Sequence, residues 1–407
     1  SLTYGTRGRF PLEMLEKRLL LHHQAPTPIE DVEEAVAESF ANPIDFPSLD
    51  RAFVPDDRVA VIWDRDTPAP GLLFNSLLEL FDQADLSRDR IQFLQPLSSQ
   101  ASEPGMSAVQ AEMVETEGMT FHQHDPEDES ECGYLANTAS GERIYLSRHL
   151  TDAEALITVG PIEFHPILGV RGTSSSLYPG LSKQEDLSRA NARGHDELGP
   201  EDARPLRQKA DEIAWLVGLQ MSVAVIPAGG QKVHRVLVGQ SESVFESAKR
   251  ILSEQWTVTP KQRVEMVIVT VPTDAAGHGW PQVAAAIDAA RRMVERNGRI
   301  VVLSELDRPL GPGLEMLRDA RNPKDAIKPI ERAAPPDLLA ACRIAAATEW
   351  ANVSLLSKLP SDLVDDLFML PLDSEQELTR LIDQDDLTAV LENAQQCFVR
   401  CDGGDSV

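Results

Sequence analysis

Short apolar runs alternate with amphipathic segments along most of the chain, the pattern of an α/β protein. Arg58 to Trp63, RVAVIW, is a continuous apolar run of the kind that forms buried parallel strands, and Ile91 to Leu94 repeats it. Gly71 to Ala84 between them reads as a helix, as does Ser107 to Glu117 beyond. Upstream, Tyr4 to Leu20 is predicted as an entry strand with Leu12, Met14 and Leu15 as its apolar members. Ile29 to Ala41 puts Ile29, Val32, Val36 and Phe40 on one helical face, and Asn42-Pro43 stops it. Downstream, Arg143 to Arg148 reads as an edge strand and Ala155 to Val159 as a buried one. Pro205 to Val217 is a striped helix capped by Gly218. Gln220 to Pro227 and Lys232 to Gly239 make a hairpin across Ala228-Gly229-Gly230-Gln231, and Val244 to Gln255 is a helix.

The alternation then starts again. Val264 to Val271 reads as a strand, Pro272 to Pro281 as a turn-rich loop holding His278 and Trp280, and Gln282 to Arg296 as a helix. Arg299 to Leu303 and Asn352 to Leu356 are predicted strands, Asp307 to Leu314 a loop, Glu375 to Ile382 and Leu387 to Gln395 short helices, and Cys397 to Cys401 a final strand. A length of 407 residues exceeds what one core usually serves. The fold class expected is α/β: two α/β domains with mostly parallel sheets flanked by helices and a cleft between them. The boundaries are 1–258, 259–396 and a return strand to the first domain over 397–407.

The chemistry concentrates after the strand at Ala155, in ALITVGPIEFHPILGVRGTSSSLYPGL. In open α/β sheets ligands gather where strands end. The loop carries His165, Arg171, three consecutive serines and the glycines Gly169, Gly172 and Gly180, which admit positive φ and close backbone approach. A planar cation among such glycines suits a carboxylate or phosphate, and a solvated surface arginine carries equal weight. His122 to Glu131, HQHDPEDESE, sets two histidines beside carboxylates, for which an acidic surface turn is the commoner explanation than a metal site.

Charge narrows the partners. Against 38 basic residues stand 65 acidic ones, a net charge of −27, which repels nucleic acid and anionic membranes and also suits a salty habitat. The four cysteines are scattered as reduced thiols are, and Cys397-x-x-x-Cys401 lacks a second pair to complete a zinc site. No apolar stretch reaches the roughly 20 residues of a membrane span and the first residues lack a signal-peptide pattern, so a cytoplasmic protein is expected.

Taken in order, Tyr4-Gly5, RVAVIWDRDTPAP (58–70), HDPEDE (124–129), FHPILGVRGTSSSLYPGL (164–181), LVGLQMSVAVIP (216–227), WPQ (280–282) and NGRIVVLSEL (297–306) give a collinear set of landmarks. On them the chain resembles the nickel-dependent lactate racemases, which bind a nickel pincer nucleotide between two α/β domains. The resemblance implies hydride transfer between that cofactor and the α-carbon of a 2-hydroxy acid, a lysine that tethers the cofactor, a histidine on nickel and a pair of acid/base histidines.

Carried over by residue, the resemblance implies a degenerate site. Counting back from Pro179-Gly180 puts the tethering lysine at Ser175, which has no amine. The nickel histidine would fall within Leu187 to Asn191, where there is none; His195 is the nearest. His165 matches one acid/base histidine, and the segment Pro96 to Gln100 lacks the other. Asp66 and Thr67 match a phosphate-contacting segment, with proline following in place of arginine. Gln282 matches a substrate- or cofactor-contacting glutamine, and Ala285 stands where a lysine is implied. Two-sided racemisation needs a proton carrier on each face. The leading expectation is therefore a divergent protein that binds a 2-hydroxy acid or related small carboxylate through Arg171, Gly172, Ser174, Ser175, Ser176, Asp66, Thr67 and Gln282. His165 is its acid/base group. No covalently bound pincer and no metal ligand other than His165 is expected. The alternative is an active racemase or epimerase that holds the pincer non-covalently, with His195, His278 and Trp280 contributing. A hydrolase using one of the three serines with His165, and a non-enzymatic scaffold, complete the candidates.

Overall fold

A computed structural model describes residues 1–11, 19–54, 56–96, 118–194, 198–382 and 387–400. The predicted strand members Leu12, Met14 and Leu15, the helix Ser107 to Glu117, the turn Leu97 to Gln100, His195 and Cys401 lie outside them. Two compact units emerge from the contacts. One comprises Ser1–Pro26, Asn191–Gly199 and Gln255–Val407, the other Thr27–Ala190 and Pro200–Glu254.

The second of these units is built on a six-stranded sheet in the order 233–240, 221–227, 155–161, 59–63, 91–95, 120–123. Its pairs are parallel except the outermost hairpin, Met221–Pro227 with Val233–Gln240. Side chains of a strand alternate between faces, so a strand buried on both must be apolar throughout. Val59–Trp63 meets that condition: Val59, Val61 and Trp63 pack among the helices Val32–Ala41 and Pro70–Gln83, while Ala60 and Ile62 pack beneath the helix Pro205–Leu216. A two-stranded ribbon, Cys132–Asn137 with Arg143–Ser147, adds Ile144 and Leu146 to the latter core. Along the outer edge, Val233 O accepts from Ile29 N, Val238 O accepts from Ile44 N, and Gln240 N donates to Ile44 O.

The first unit carries a second six-stranded sheet, all parallel, in the order 370–372, 352–356, 294–303, 264–270, 388–391, 19–23. Val267, Val269, Ile300 and Val302 face the helices Trp280–Arg291 and Leu338–Trp350; Met266, Ile268, Val301 and Leu303 face Leu2, Tyr4 and Phe10.

Three sequence expectations change here. Leu387 to Gln395 is not a helix: Thr388–Leu391 is a fully buried strand between Val264–Thr270 and Leu19–His23. A short continuous apolar run has no period of its own, and sheet pairing decides it. The helix predicted to end at Arg296 stops at Arg291, because Val294–Leu303 joins the sheet from Val294 onward. The entry strand resolves into a small antiparallel pair, Leu2–Tyr4 with Gly8–Phe10, and the edge strand Leu19–His23. The final strand, Phe398–Val399, pairs in parallel with Thr257–Val258. No helix among the described residues is long and apolar enough to cross a membrane.

Candidate functional site

The parallel strands Val59–Trp63 and Ala155–Pro161 deliver their carboxyl ends side by side. Asp64 N donates to Val159 O at 2.8 Å, and a Cβ on Gly160 would lie 2.8 Å from Asp64 Cβ, so only glycine lets the two ends close up. Asp64 then organises its own turn. Asp66 N donates to its Oδ1 at 3.0 Å, and Thr67 Oγ1 donates to its carbonyl. The turn leads into the helix Pro70–Gln83, and Asp64, Asp66 and Thr67 are all buried.

Beyond Pro161 the chain makes a hairpin where the sequence suggested a loop. Glu163–His165 pairs with Gly169–Arg171, which puts Arg171 directly opposite Glu163. The guanidinium is a junction. Its Nε and Nη2 donate to Glu163 Oε2 at 2.9 and 2.6 Å, Nη2 also donates to Asp66 Oδ2 at 3.1 Å, and Nη1 lies 3.6 Å from Asp64 Oδ2. Side-chain exposure is 13% for Arg171 and 1% for Asp66, so these charges have left water. Three ionised carboxylates around one cation leave an excess of two negative charges. Asp64 is the carboxyl that responds to it. Burial lifts that carboxyl to about 6, and the charges of Asp66 and Glu163 add to the rise against the pull of Arg171 and the Asp66 N–H.

The serines follow a tight corner. Gly172 sits at φ +123°, where a Cβ would come within 2.3 Å of Ile162 Cδ1 and 2.7 Å of Pro161 O. Thr173 follows at φ 51°, a conformation costing a non-glycine residue on the order of 1–3 kcal/mol. What holds it is Arg207, reaching in from the helix Pro205–Leu216. Its Nη1 donates to Gly172 O at 3.1 Å, and its Nη2 donates to Thr173 Oγ1 at 3.3 Å and to Ser174 Oγ at 2.9 Å. Asp211 takes the Nε of Arg207 at 3.0 Å and the hydroxyl of Ser174, and the guanidinium stacks 3.4 Å from the Phe245 ring centroid. Ser175 Oγ accepts from Gly172 N at 2.7 Å, and Ser176 Oγ donates to Asp64 Oδ2 at 3.4 Å. Gly172→Ala is expected to cost about 3 kcal/mol, combining a disfavoured φ with the overlap on Ile162. Urea unfolding measures it, and a cost within about 0.5 kcal/mol of zero would mean the corner relaxes freely.

Of the residues singled out in the sequence, Asp66, Thr67, Arg171, Gly172 and the three serines come together in this region. His165 closes the hairpin turn: its Nδ1 accepts from Ile167 N and Leu168 N, both at 3.2 Å, which fixes the proton of the neutral ring on Nε2. Gln282 belongs to the other unit, where its side-chain oxygen accepts from Gly279 N at 3.0 Å and caps the helix Trp280–Arg291. Trp280 is buried in that unit, with Nε1 donating to the carbonyls of Arg308 and Pro309. His278 lies there also, its Nε2 accepting from Glu305 N at 3.1 Å. In the acidic segment, His124 is buried with Nε2 2.8 Å from Ser182 O, and His122 stacks on His149 with centroids 3.8 Å apart. Among the described residues no group of three or more His, Cys, Asp or Glu is placed to hold a metal ion. Sequence reasoning passed over Glu163, Arg207 and Asp211. The turn signal Pro166 to Gly169 predicts that Glu163 faces Arg171; nothing local points to Arg207.

Residues 4–194 match the family model of the lactate racemase N-terminal domain. Over that segment the chain is similar to a lactate racemase N-terminal domain. It is similar over 98% of its length, and over 99% of the other chain, to the lactate racemase apoprotein from Thermoanaerobacterium thermosaccharolyticum, with 18% identity and a TM-score of 0.78. It is also similar to a protein from Thermotoga maritima, with 13% identity, a TM-score of 0.65 and coverage of 93% of this chain and 99% of that one. At these identities the structural likeness is one of fold. No curated protein matches the chain. The matched lactate racemase N-terminal segment contains the turn from Asp64, the hairpin and the serine corner, so the cluster around Arg171 lies within it.

Proposed function

We propose that this lactate racemase-like protein binds a 2-hydroxy acid or a related small carboxylate at the Arg171 cluster, and that it does not carry out nickel-pincer racemisation. The observation that carries the reading is the guanidinium held among carboxylates at the strands' carboxyl ends. A 2-hydroxy acid brings both complements to it: a carboxylate to accept from the guanidinium and a hydroxyl to donate to a carboxylate. A simple acid supplies only the first.

The residues present do not fit a tethered pincer. Ser175, at the position the resemblance gives to the tethering lysine, has no amine to acylate, and its hydroxyl is engaged with Gly172 at 2.7 Å. Nor does His165 suit a proton-abstracting role. Freeing the lone pair of its Nε2 would move a proton onto Nδ1, against two backbone N–H groups. What His165 offers in this tautomer is an Nε2–H donor.

The test is thermal stability with D-lactate, L-lactate and propionate. Both lactates are expected to raise Tm while propionate leaves it unchanged. Arg171→Lys, which keeps the charge and loses the planar fork, is expected to weaken lactate binding about tenfold. Equal shifts with propionate, or none with any acid, would remove the reading. Protein from a host that makes the pincer cofactor is expected to show its unmodified mass and no stoichiometric nickel; a mass increase or bound nickel would restore racemisation.

A further inference from the structure

We propose that a small anion reaches Arg171 only together with a proton, which Asp64 takes up. The inference rests on the ligand reading above and adds to it the coupling and the residue responsible. Arg171 is already surrounded by Asp64, Asp66 and Glu163, and an arriving carboxylate would be a fourth negative charge on one guanidinium. One of the four must be neutralised or leave. Glu163 is held by two bonds, at 2.9 and 2.6 Å, and Asp66 by one at 3.1 Å, whereas Asp64 stands 3.6 Å from the nearest guanidinium nitrogen. Asp64 is therefore the partner whose charge Arg171 compensates least, and its side chain is 12% exposed, so water does little to compensate it either.

The groups that face Asp64 favour the same outcome. Asp66 in its own turn and Glu163 on the hairpin repel its charge, Arg171 on the hairpin attracts it, and Ser176 contributes a neutral hydroxyl. Burial already raises the carboxyl to about 6 in the free protein, and engaging Arg171 with a ligand weakens the stronger of the two attractions, Arg171 and the Asp66 N–H, that favour its ionised form. The proton balance is simple. The ligand carboxylate comes in as an anion, one proton comes from solvent to Asp64, and the net charge of the site is unchanged. Protonated, Asp64 becomes a donor as well, free to give its O–H to a ligand oxygen or to a neighbouring carboxylate.

The experiment is titration calorimetry with L-lactate in two buffers of different ionisation heat at about pH 7.5, where Asp64 is mostly ionised. Uptake of about one proton per lactate is expected in the wild type, with affinity falling toward tenfold per pH unit above the Asp64 midpoint. Asp64→Asn is expected to bind without proton uptake and with a flat pH profile; Glu163→Gln is expected to retain the uptake. Binding with no proton exchange overturns the coupling and leaves the ligand reading standing. Uptake that survives in Asp64→Asn and vanishes in Glu163→Gln overturns the assignment to Asp64. Absence of lactate binding at both about pH 5.5 and about pH 7.5 overturns the ligand reading and the coupling together. A ligand-free measurement judges the residue separately. In a potentiometric difference titration, folded Asp64→Asn is expected to take up one proton fewer than wild type between about pH 7.5 and pH 4.5, and equal uptake rules Asp64 out as the acceptor.

Discussion

Arg171→Met is expected to destabilise the unit that holds it by about 3–5 kcal/mol at neutral pH, the usual cost of leaving a buried charge uncompensated. The loss should be steep because Asp66 is 1% exposed and both other carboxylates depend on the same guanidinium. It should also depend on pH, and the sign follows from Asp64. Its folded value of about 6 lies above the ordinary aspartate value of 3.8, so it contributes stability that is complete below about pH 3.8 and is lost as pH rises through about 6. Without Arg171 the folded value rises further, so protonation relieves more of the strain and the deficit shrinks as pH falls from about 7.5 to about 5. Urea unfolding at the two pH values reads this directly. A deficit of the same size at both would mean that lost packing, and not uncompensated charge, explains the variant.

The second large effect belongs to the other unit. Asp288 on the helix Trp280–Arg291 accepts from Arg291 Nε and Nη2 at 3.1 and 2.9 Å and from Arg292 Nε at 3.3 Å, with Arg343 Nε at 3.8 Å. Burial raises its pKa, but the three arginines outweigh that and hold the carboxyl well below the usual carboxylate range. Asp288→Ala is expected to cost about 3–5 kcal/mol at neutral pH, since it leaves Arg291, 9% exposed, without its anion. The sign is opposite to that of Asp64. A depressed pKa contributes stability that is present above about pH 4 and lost as pH falls through the folded value. The wild type should therefore lose stability on acidification below about pH 4 while the variant has less to lose there, so the two unfolding curves converge. Parallel curves from neutral to acid pH would show that Asp288 remains ionised throughout, or that its partners compensate for its removal.

The strands were the legible part of the fold. Arg58 to Trp63 and Val264 to Val271 announce themselves by the unbroken apolar stretches Val59 to Trp63 and Met266 to Val269, as burial on both faces requires. Thr388–Leu391 is likewise buried on both faces but is too short for its apolar residues to declare a helix or a strand, and its place between two parallel neighbours settles it. The hairpin after Pro161 was illegible for a related reason. Strands of three residues carry no visible alternation, so Glu163–Arg171 reads as loop. The character of Arg171 was hidden more deeply. Read locally it is a cation among glycines and serines, but two of its three anions come from the turn after Trp63, more than a hundred positions earlier, and only the pairing of Val59–Trp63 with Ala155–Pro161 brings them to it. Gln282 shows the converse. A motif match singled it out, and in the structure its oxygen caps its own helix.

The segment that carries Ile29 and Ile44 along the outermost strand has a consequence for how copies of the protein meet one another. An uncovered sheet edge is a template on which a strand from a second molecule can add, and from there a third. Val233 O, Val238 O and Gln240 N are already taken by the chain's own backbone, and Gly239 is approached so closely that a Cβ there would lie 2.2 Å from Ile44 O. At that side the ladder is closed. A protein able to concentrate without threading its sheets together keeps this edge blocked by main chain, which unlike a charged side chain is indifferent to the salt around it.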